Sequence, residues 1–286
     1  LSDGWMEDLL TLEDFEARAL EILPPARALY YQSGAEDGSS VREASRAWND
    51  WLLRPRVFVD VSNVDLSVQV LGRRLALPVM AAPTALLKMA HEDGEAGVAR
   101  ACSNAGVGTV LSTTASMSIE DVAAAAPEGY KWFQLYVYQD RSRTERLVRR
   151  AEAAGFDALC LTVDLPVLGN RTGLKRIGFR VPSEFKMANM VSEEEKEKGR
   201  GAGAVKVEEA GDRAAYVQKL YDKALTMELI RWLGTLTKLP LVVKGVLRGE
   251  DAARAAQLPN VVGVVVSGHG GRQLAGAVAP ITALPE

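Results

Sequence analysis

The chain has 286 residues, of which 48% are hydrophobic and 25% charged, with a formal net charge of −3. That length can bury one large core or two small ones, and the slightly acidic balance leaves no basic footprint for nucleic acid. No apolar run approaches the roughly 18 residues of a membrane span. The opening LSDGWMEDLL is acidic, with neither a leader pattern nor an initiator Met, so a processed, trimmed or partial chain is expected. Cys102 and Cys160 match no metal or CxxC spacing, which predicts buried, reduced thiols in an intracellular compartment and no metal site.

Residues 11–53 read as helical. Thr11 is a candidate N-cap with Asp14 three residues on. Leu12, Phe15, Ala19, Leu20 and Leu23 follow helical spacing. Pro24-Pro25 interrupts, and Pro25 can open a second helix at its first turn. Ser33-Gly34 punctuates, and 40–53 reads as a third helix carrying Trp48 and Trp51. Two short strands, 57–61 and 66–70, are expected around a turn.

From Leu77 the chain alternates. Apolar strands are predicted at 77–81, 107–111, 131–135, 158–163, 240–243 and 261–266, and helices at 93–105, 118–126, 142–154, 222–237 and 249–257. This order predicts a parallel α/β sheet covered by helices. Chemically capable residues stand just after all six strands, and no GxGxxG follows the first. A TIM (β/α)8 barrel is therefore favoured over a doubly wound sheet. About six of eight strand–helix units are present, in a single domain. Residues 1–76 form an N-terminal helical segment with a hairpin, and 77–286 an incomplete barrel. The chain ends inside what would be the sixth helix. Residues 183–221 interrupt the rhythm as a polar, lid-like insertion whose charges suit solvated surface. Its Gly199, Gly201 and Gly203 follow no strand and are not read as a phosphate loop.

The most informative stretch is Ser267-Gly268-His269-Gly270-Gly271-Arg272-Gln273, directly after the apolar run Val261–Val266. His269 is one of two histidines. An imidazole there can take a proton while a guanidinium three residues on holds a carboxylate through two parallel hydrogen bonds. The neighbouring glycines let backbone and ligand approach closely.

Seven motifs in register resemble the FMN-dependent α-hydroxy-acid oxidase and dehydrogenase family, from about Leu12 to Ile281. They are Tyr30 to Asp37, Leu53 to Arg56, Ala82-Pro83-Thr84-Ala85 with Lys88 to His91, Gln134 to Tyr138, Leu161 to Asp164, Val243 to Val246, and Ser267 to Leu274. The resemblance implies a TIM barrel with FMN at its C-terminal face, oxidising an L-2-hydroxy acid to a 2-oxo acid. Electrons then pass to oxygen or another acceptor. It implies His269 as base, acting on the hydroxyl or the α-carbon, with Asp164 paired to it and favouring its charged form. It implies Arg171 and Arg272 on the substrate carboxylate, Tyr30 hydrogen-bonding the same carboxylate and Tyr136 on the substrate hydroxyl. Pro83, Thr84, Ala85, Ser112, Gln134, Thr162, Lys244 and Ser267 are implied around the flavin, and His91 is read as structural. A homotetramer, and a peroxisomal location in a eukaryote or a cytoplasmic one otherwise, also follow from the resemblance.

The chain departs from the family at three places. Gly268 and Ala275 replace the family's usual Asn and Asp, so the loop carrying the base is expected to be less ordered. Thr114 stands where glycolate oxidases carry tryptophan, which predicts a wider pocket. The last two strands and their phosphate grip are missing. A second reading is therefore a shortened, inactive chain serving at most as a binding module. A third, an FMN isomerase, is opposed by the pairing of His269 with Arg272.

Overall fold

The computed structural model describes residues 9–190 and 220–286. Most of the polar insertion, including its three glycines, lies outside them, as does the start of the acidic N-terminus.

Helix α1 (Leu12–Ile22) begins as its sequence dictates: the Thr11 hydroxyl accepts the Asp14 N–H while the Asp14 carboxylate accepts the Thr11 N–H. Helix α2 (Pro25–Gln32) has Pro25 at its first turn, where the missing N–H costs nothing. Helix α3 (Ser39–Arg46) is shorter than expected. It tightens into a 3-10 turn over Ala47–Asp50 that carries Trp48, and Trp51 lies in extended backbone beyond it.

The expected strand at 57–61 is absent: those residues are exposed and irregular, and Phe58 has a positive φ of 60°. The hairpin lies further on, β1 (Val68–Val70) against β2 (Arg73–Leu75). Its two turn residues, Leu71 and Gly72, both have positive φ, 46° and 82°, as a tight two-residue turn between right-twisted strands requires. The Gly72 signal was in the sequence; the apolar run at 57–61 outweighed it.

Six parallel strands follow: β3 (Met80–Ala81), β4 (Gly108–Leu111), β5 (Lys131–Leu135), β6 (Ala158–Thr162), β7 (Leu241–Val246) and β8 (Val261–Val266). They are bonded in sequence order. That order decides the architecture. A doubly wound sheet reverses direction at a switch point, whereas a barrel adds each strand beside the last. The crossovers are α4 (Gly94–Asn104), α5 (Ile119–Ala125), α6 (Arg141–Ala153), α8 (Met227–Leu236) and α9 (Gly249–Ala256), with the short α7 (Thr172–Arg176) after β6 and α10 (Pro280–Ala283) after β8. Helix α8 starts five residues later than expected because Asp222 accepts the Ala224 N–H in a turn, and Tyr221 bridges to Tyr138 instead.

Side-chain alternation sorts the strands into two faces. Leu111, Phe133, Leu135, Leu159, Leu161 and Leu241 pack outward against Ile119, Leu147, Val148 and Leu233 of the helices. Val110, Trp132, Ala158, Cys160 and Val242 point inward and are plugged from below by Leu75 and the hairpin. Cys160 is buried and its thiol is pushed up to about 12 by desolvation. Cys102 is only half-buried, against expectation.

Candidate active site

Continuing the inward face by one pleat gives Ser112, Gln134, Thr162 and Lys244, each one side-chain step beyond Val110, Trp132, Cys160 and Val242. The registers Gln134 with Cys160 and Thr162 with Lys244 place them in one band at the strands' C-terminal ends. All four are buried, so their polar atoms need partners. The Gln134 amide donates to the Thr162 hydroxyl at 2.9 Å, and its oxygen accepts the Thr113 N–H at 3.0 Å. Ser112 and Thr114 hydroxyls lie 3.1 Å apart, and Lys244 Nζ donates to Ser267 Oγ at 3.0 Å. Thr113, the polar residue after Ser112 at the end of β4, has a role its position alone did not give. Its hydroxyl donates to the Gln134 carbonyl and accepts the Tyr136 N–H at 3.4 Å, fixing both neighbours. Pro83 and Ala85 are half-buried and Thr84 is exposed, just beyond β3.

His269 sits on a left-handed stretch: His269, Gly270 and Gly271 have φ of 56°, 64° and 68°. Only glycine adopts this readily, so His269 is held there at a cost. In place of the side chain that Gly268 lacks, other contacts brace the loop. Ser267 Oγ accepts the His269 N–H at 3.1 Å, Gly268 O accepts the Gly271 N–H, and Gly271 O accepts the Ala35 N–H at 2.8 Å. Gly271 lies so close to α3 that an added Cβ would stand 2.5 Å from the Val41 nitrogen.

His269 Nδ1 lies 2.7 Å from Asp164 Oδ1. A carboxylate only accepts, so Nδ1 carries the hydrogen and Nε2 keeps its lone pair. Asp164 favours the charged form, as the pairing implies, but it is not the largest influence on the ring. Burial pulls the imidazole below its ordinary value of 6.5. The Asp164 hydrogen bond and charge oppose this, and Lys244 and Arg171 add to it. Desolvation and two cations outweigh one carboxylate, and His269 is neutral near pH 7. Asp164 in turn is pressed against Gly245, the extra residue of a bulge in β7, where an added Cβ would meet Asp164 Cβ and Cγ at 2.7 Å.

Burial also raises the Tyr136 phenol well above its ordinary value, with Tyr221 and Asp164 raising it further and Arg171 opposing. It therefore remains a donor, its ring 4.6 Å from that of Tyr221. Arg171, at the N-cap of α7, acts electrostatically on both Tyr136 and His269. Arg272 is held differently: its guanidinium donates to the Tyr31 and Ser33 carbonyls at 2.8 and 3.0 Å and to the Tyr30 carbonyl at 3.0 Å. It thus caps the negative end of α2 and lies 5.5 Å from the centroid of the Tyr30 ring. Glu95 was not singled out in the sequence. Buried, it accepts from the Leu87 N–H and from the N–H and hydroxyl of Ser116, fixing the loop beyond β3. His91 is exposed, and its Nδ1 accepts the Asp93 N–H at 3.1 Å. Among the described residues no group of side chains could hold a metal ion.

Residues 19–286 match the model of the FMN-dependent dehydrogenase family. The chain belongs to that family. Its cofactor is FMN, and it is an oxidoreductase. It is 42% identical over 283 residues to human 2-hydroxyacid oxidase 1, covering 97% of this chain and 74% of that protein. Maize glycolate oxidase 1 is also 42% identical, over 98% of this chain and 74% of its own length. The crystal structure of mandelate oxidase with (S)-4-hydroxymandelic acid superposes with a TM-score of 0.85 at 36% identity, covering 96% of this chain and 75% of that one. The curved sheet of this chain is thus an arc of a TIM barrel. No described helix is long and apolar enough to cross a membrane.

The residues present fit the cofactor. A band of buried donors and acceptors from four neighbouring strands, ending in one ammonium, suits a flat heteroaromatic ring that becomes anionic on reduction.

Proposed function

We propose that the chain oxidises an (S)-2-hydroxy acid to the 2-oxo acid. The observation that carries this reading is the His269–Asp164 pair at 2.7 Å, set beside Lys244, Arg171 and Tyr136. Bound FMN supplies the two-electron acceptor. Ser112, Gln134, Thr162, Lys244, Ser267 and the 83–85 backbone would hold it, and Lys244 would stabilise its negative charge on reduction.

The protein's own share of the chemistry is to bind the acid and move one proton. His269 Nε2 takes that proton from the substrate, and Asp164 stabilises the imidazolium that results. Arg171 and Arg272 supply positive charge for the carboxylate. Arg272 is aimed by the end of α2, and Tyr30 lies beneath its guanidinium. The protonated Tyr136 phenol donates to the substrate hydroxyl. Thr114 is small and only half-buried beside Ser112, which favours side chains larger than that of glycolate. The electron acceptor is oxygen, a reading supported by relatives that are named oxidases.

The test is anaerobic mixing of the FMN-loaded protein with glycolate, L-lactate or (S)-mandelate while flavin absorbance is followed. Bleaching by lactate or mandelate ahead of glycolate, abolished in His269→Gln and reversed in preference by Thr114→Trp, supports the reading. A flavin that none of the three acids bleaches overturns it.

A further inference from the structure

We infer that Gln273 is a positioning residue that holds Asp164 against His269; this rests on the reading of that pair given above. Gln273 follows Arg272 on the loop after β8, and its side chain crosses to the loop after β6. Its amide nitrogen donates to the Asp164 carbonyl at 3.1 Å and to the Val167 carbonyl at 3.2 Å, while its oxygen accepts the Gly169 N–H at 3.3 Å. The amide orientation is fixed by this chemistry, since a flipped group would set its oxygen against two carbonyl oxygens.

Among the described residues, Gln273 makes every main-chain hydrogen bond of residues 164–169. Within the segment Leu165 packs against the core and Asp164 against Gly245, and further hydrogen bonds lie at its two ends. Val163 N–H donates to the Lys244 carbonyl on one side, and Asn170 pairs with Glu36 on the other. The two loops also touch directly: a Cβ on Gly169 would stand 2.7 Å from the Gln273 Cα. Base and orienter therefore come from loops 105 residues apart in sequence, and one amide side chain ties the two loops directly. Neither Asp164 nor His269 can tune that distance alone, because each moves with its loop.

The test uses the full chain, with and without FMN, and reads the imidazole directly. There are two histidines, so 15N-histidine labelling gives two ring systems, with exposed His91 as internal control. In the wild type the His269 Nδ1 proton is expected far downfield and slow to exchange. In Gln273→Met it should exchange at least tenfold faster and move upfield, with His91 unchanged. Gln273→Glu keeps the bond from Gly169 but turns a carboxylate toward two carbonyls, and should loosen the proton similarly. An unchanged His269 signal in either folded variant overturns the inference. Failure of both variants to fold also overturns it, assigning Gln273 to stability alone. Because the signal needs no turnover, a loosened pair in a protein that bleaches with no hydroxy acid would refute the proposed function and leave the positioning role standing.

Discussion

Gly245→Ala should damage the site without touching any residue that meets substrate. Gly245 has φ of +110°, where an L side chain costs about 1–3 kcal/mol. The new methyl would also stand 2.7 Å from Asp164 Cβ and Cγ, and relieving such overpacking costs a further 1–3 kcal/mol or about that. Ordinary contact begins near 3.4 Å, so Asp164 must retreat by roughly 0.7 Å. The same displacement along its hydrogen bond takes the 2.7 Å contact with His269 to about 3.4 Å, past the useful range. The expected outcome is a lower melting temperature together with flavin reduction slowed about 10- to 100-fold, some 1.4–2.8 kcal/mol of barrier. Thermal melting and stopped-flow bleaching on the same preparation check both. Lost stability with an unchanged rate would assign the whole cost to backbone strain and refute the displacement. Wild-type behaviour in both would refute the packing argument.

The lowered His269 value has a defined pH consequence. As pH falls below 6.5 the unfolded chain takes up a proton that the folded site resists, so this contribution to stability is present above 6.5 and is lost toward the folded value. Melting curves from pH 8 to 5 should fall more steeply for the wild type than for His269→Gln; parallel curves, or a wild type stabilised by acid, would contradict the assignment. At the opposite end of the sheet, buried Lys131 donates to the carbonyls of Ala126, Pro127 and Gly129 at 2.6, 3.2 and 2.7 Å, capping α5. Lys131→Met should cost about 3 kcal/mol in stranded carbonyls, roughly 6–12 °C in melting temperature, while leaving flavin reduction unchanged. A melting temperature within a degree of wild type would refute this.

Strands β5, β6 and β8 were legible because short apolar runs bounded by turns have few alternatives when helices alternate with them. The barrel was legible from where Ser112, Gln134, Thr162, Lys244 and His269 fall, each at a strand end. What composition and spacing could not show was the second layer. Thr113 and Gln273 stand in marked stretches and Glu95 in an ordinary helix, but the partners that give all three their roles lie 8 to 109 positions away. The run at 57–61 misled for the converse reason: alternating apolar residues signal a strand only if a neighbour offers an edge, and none does there. The pull of Asp164 on His269 could be read from a motif, whereas the opposing effect of burial could not.

The N-terminal helices also belong to the site more closely than a division at residue 76 suggests. Three consecutive residues with positive φ, one of them histidine, do not hold their shape unaided. Beyond the bonds to Ser267 and Gly268, what holds them comes from residues 30–41. Ala35 bonds Gly271, the end of α2 receives Arg272, and Ser40 and Val41 press on Gly271. The same segment reaches the other loop, with Glu36 accepting from Asn170 and Thr172 while its own N–H donates to the Asn170 carbonyl. Base loop and orienter loop therefore share one support outside the barrel as well as the Gln273 tie between them. A barrel strand fixes where a loop starts, but the pairing of His269 with Asp164 needs both loops to end in the same place, and residues 30–41 are what both are fastened to.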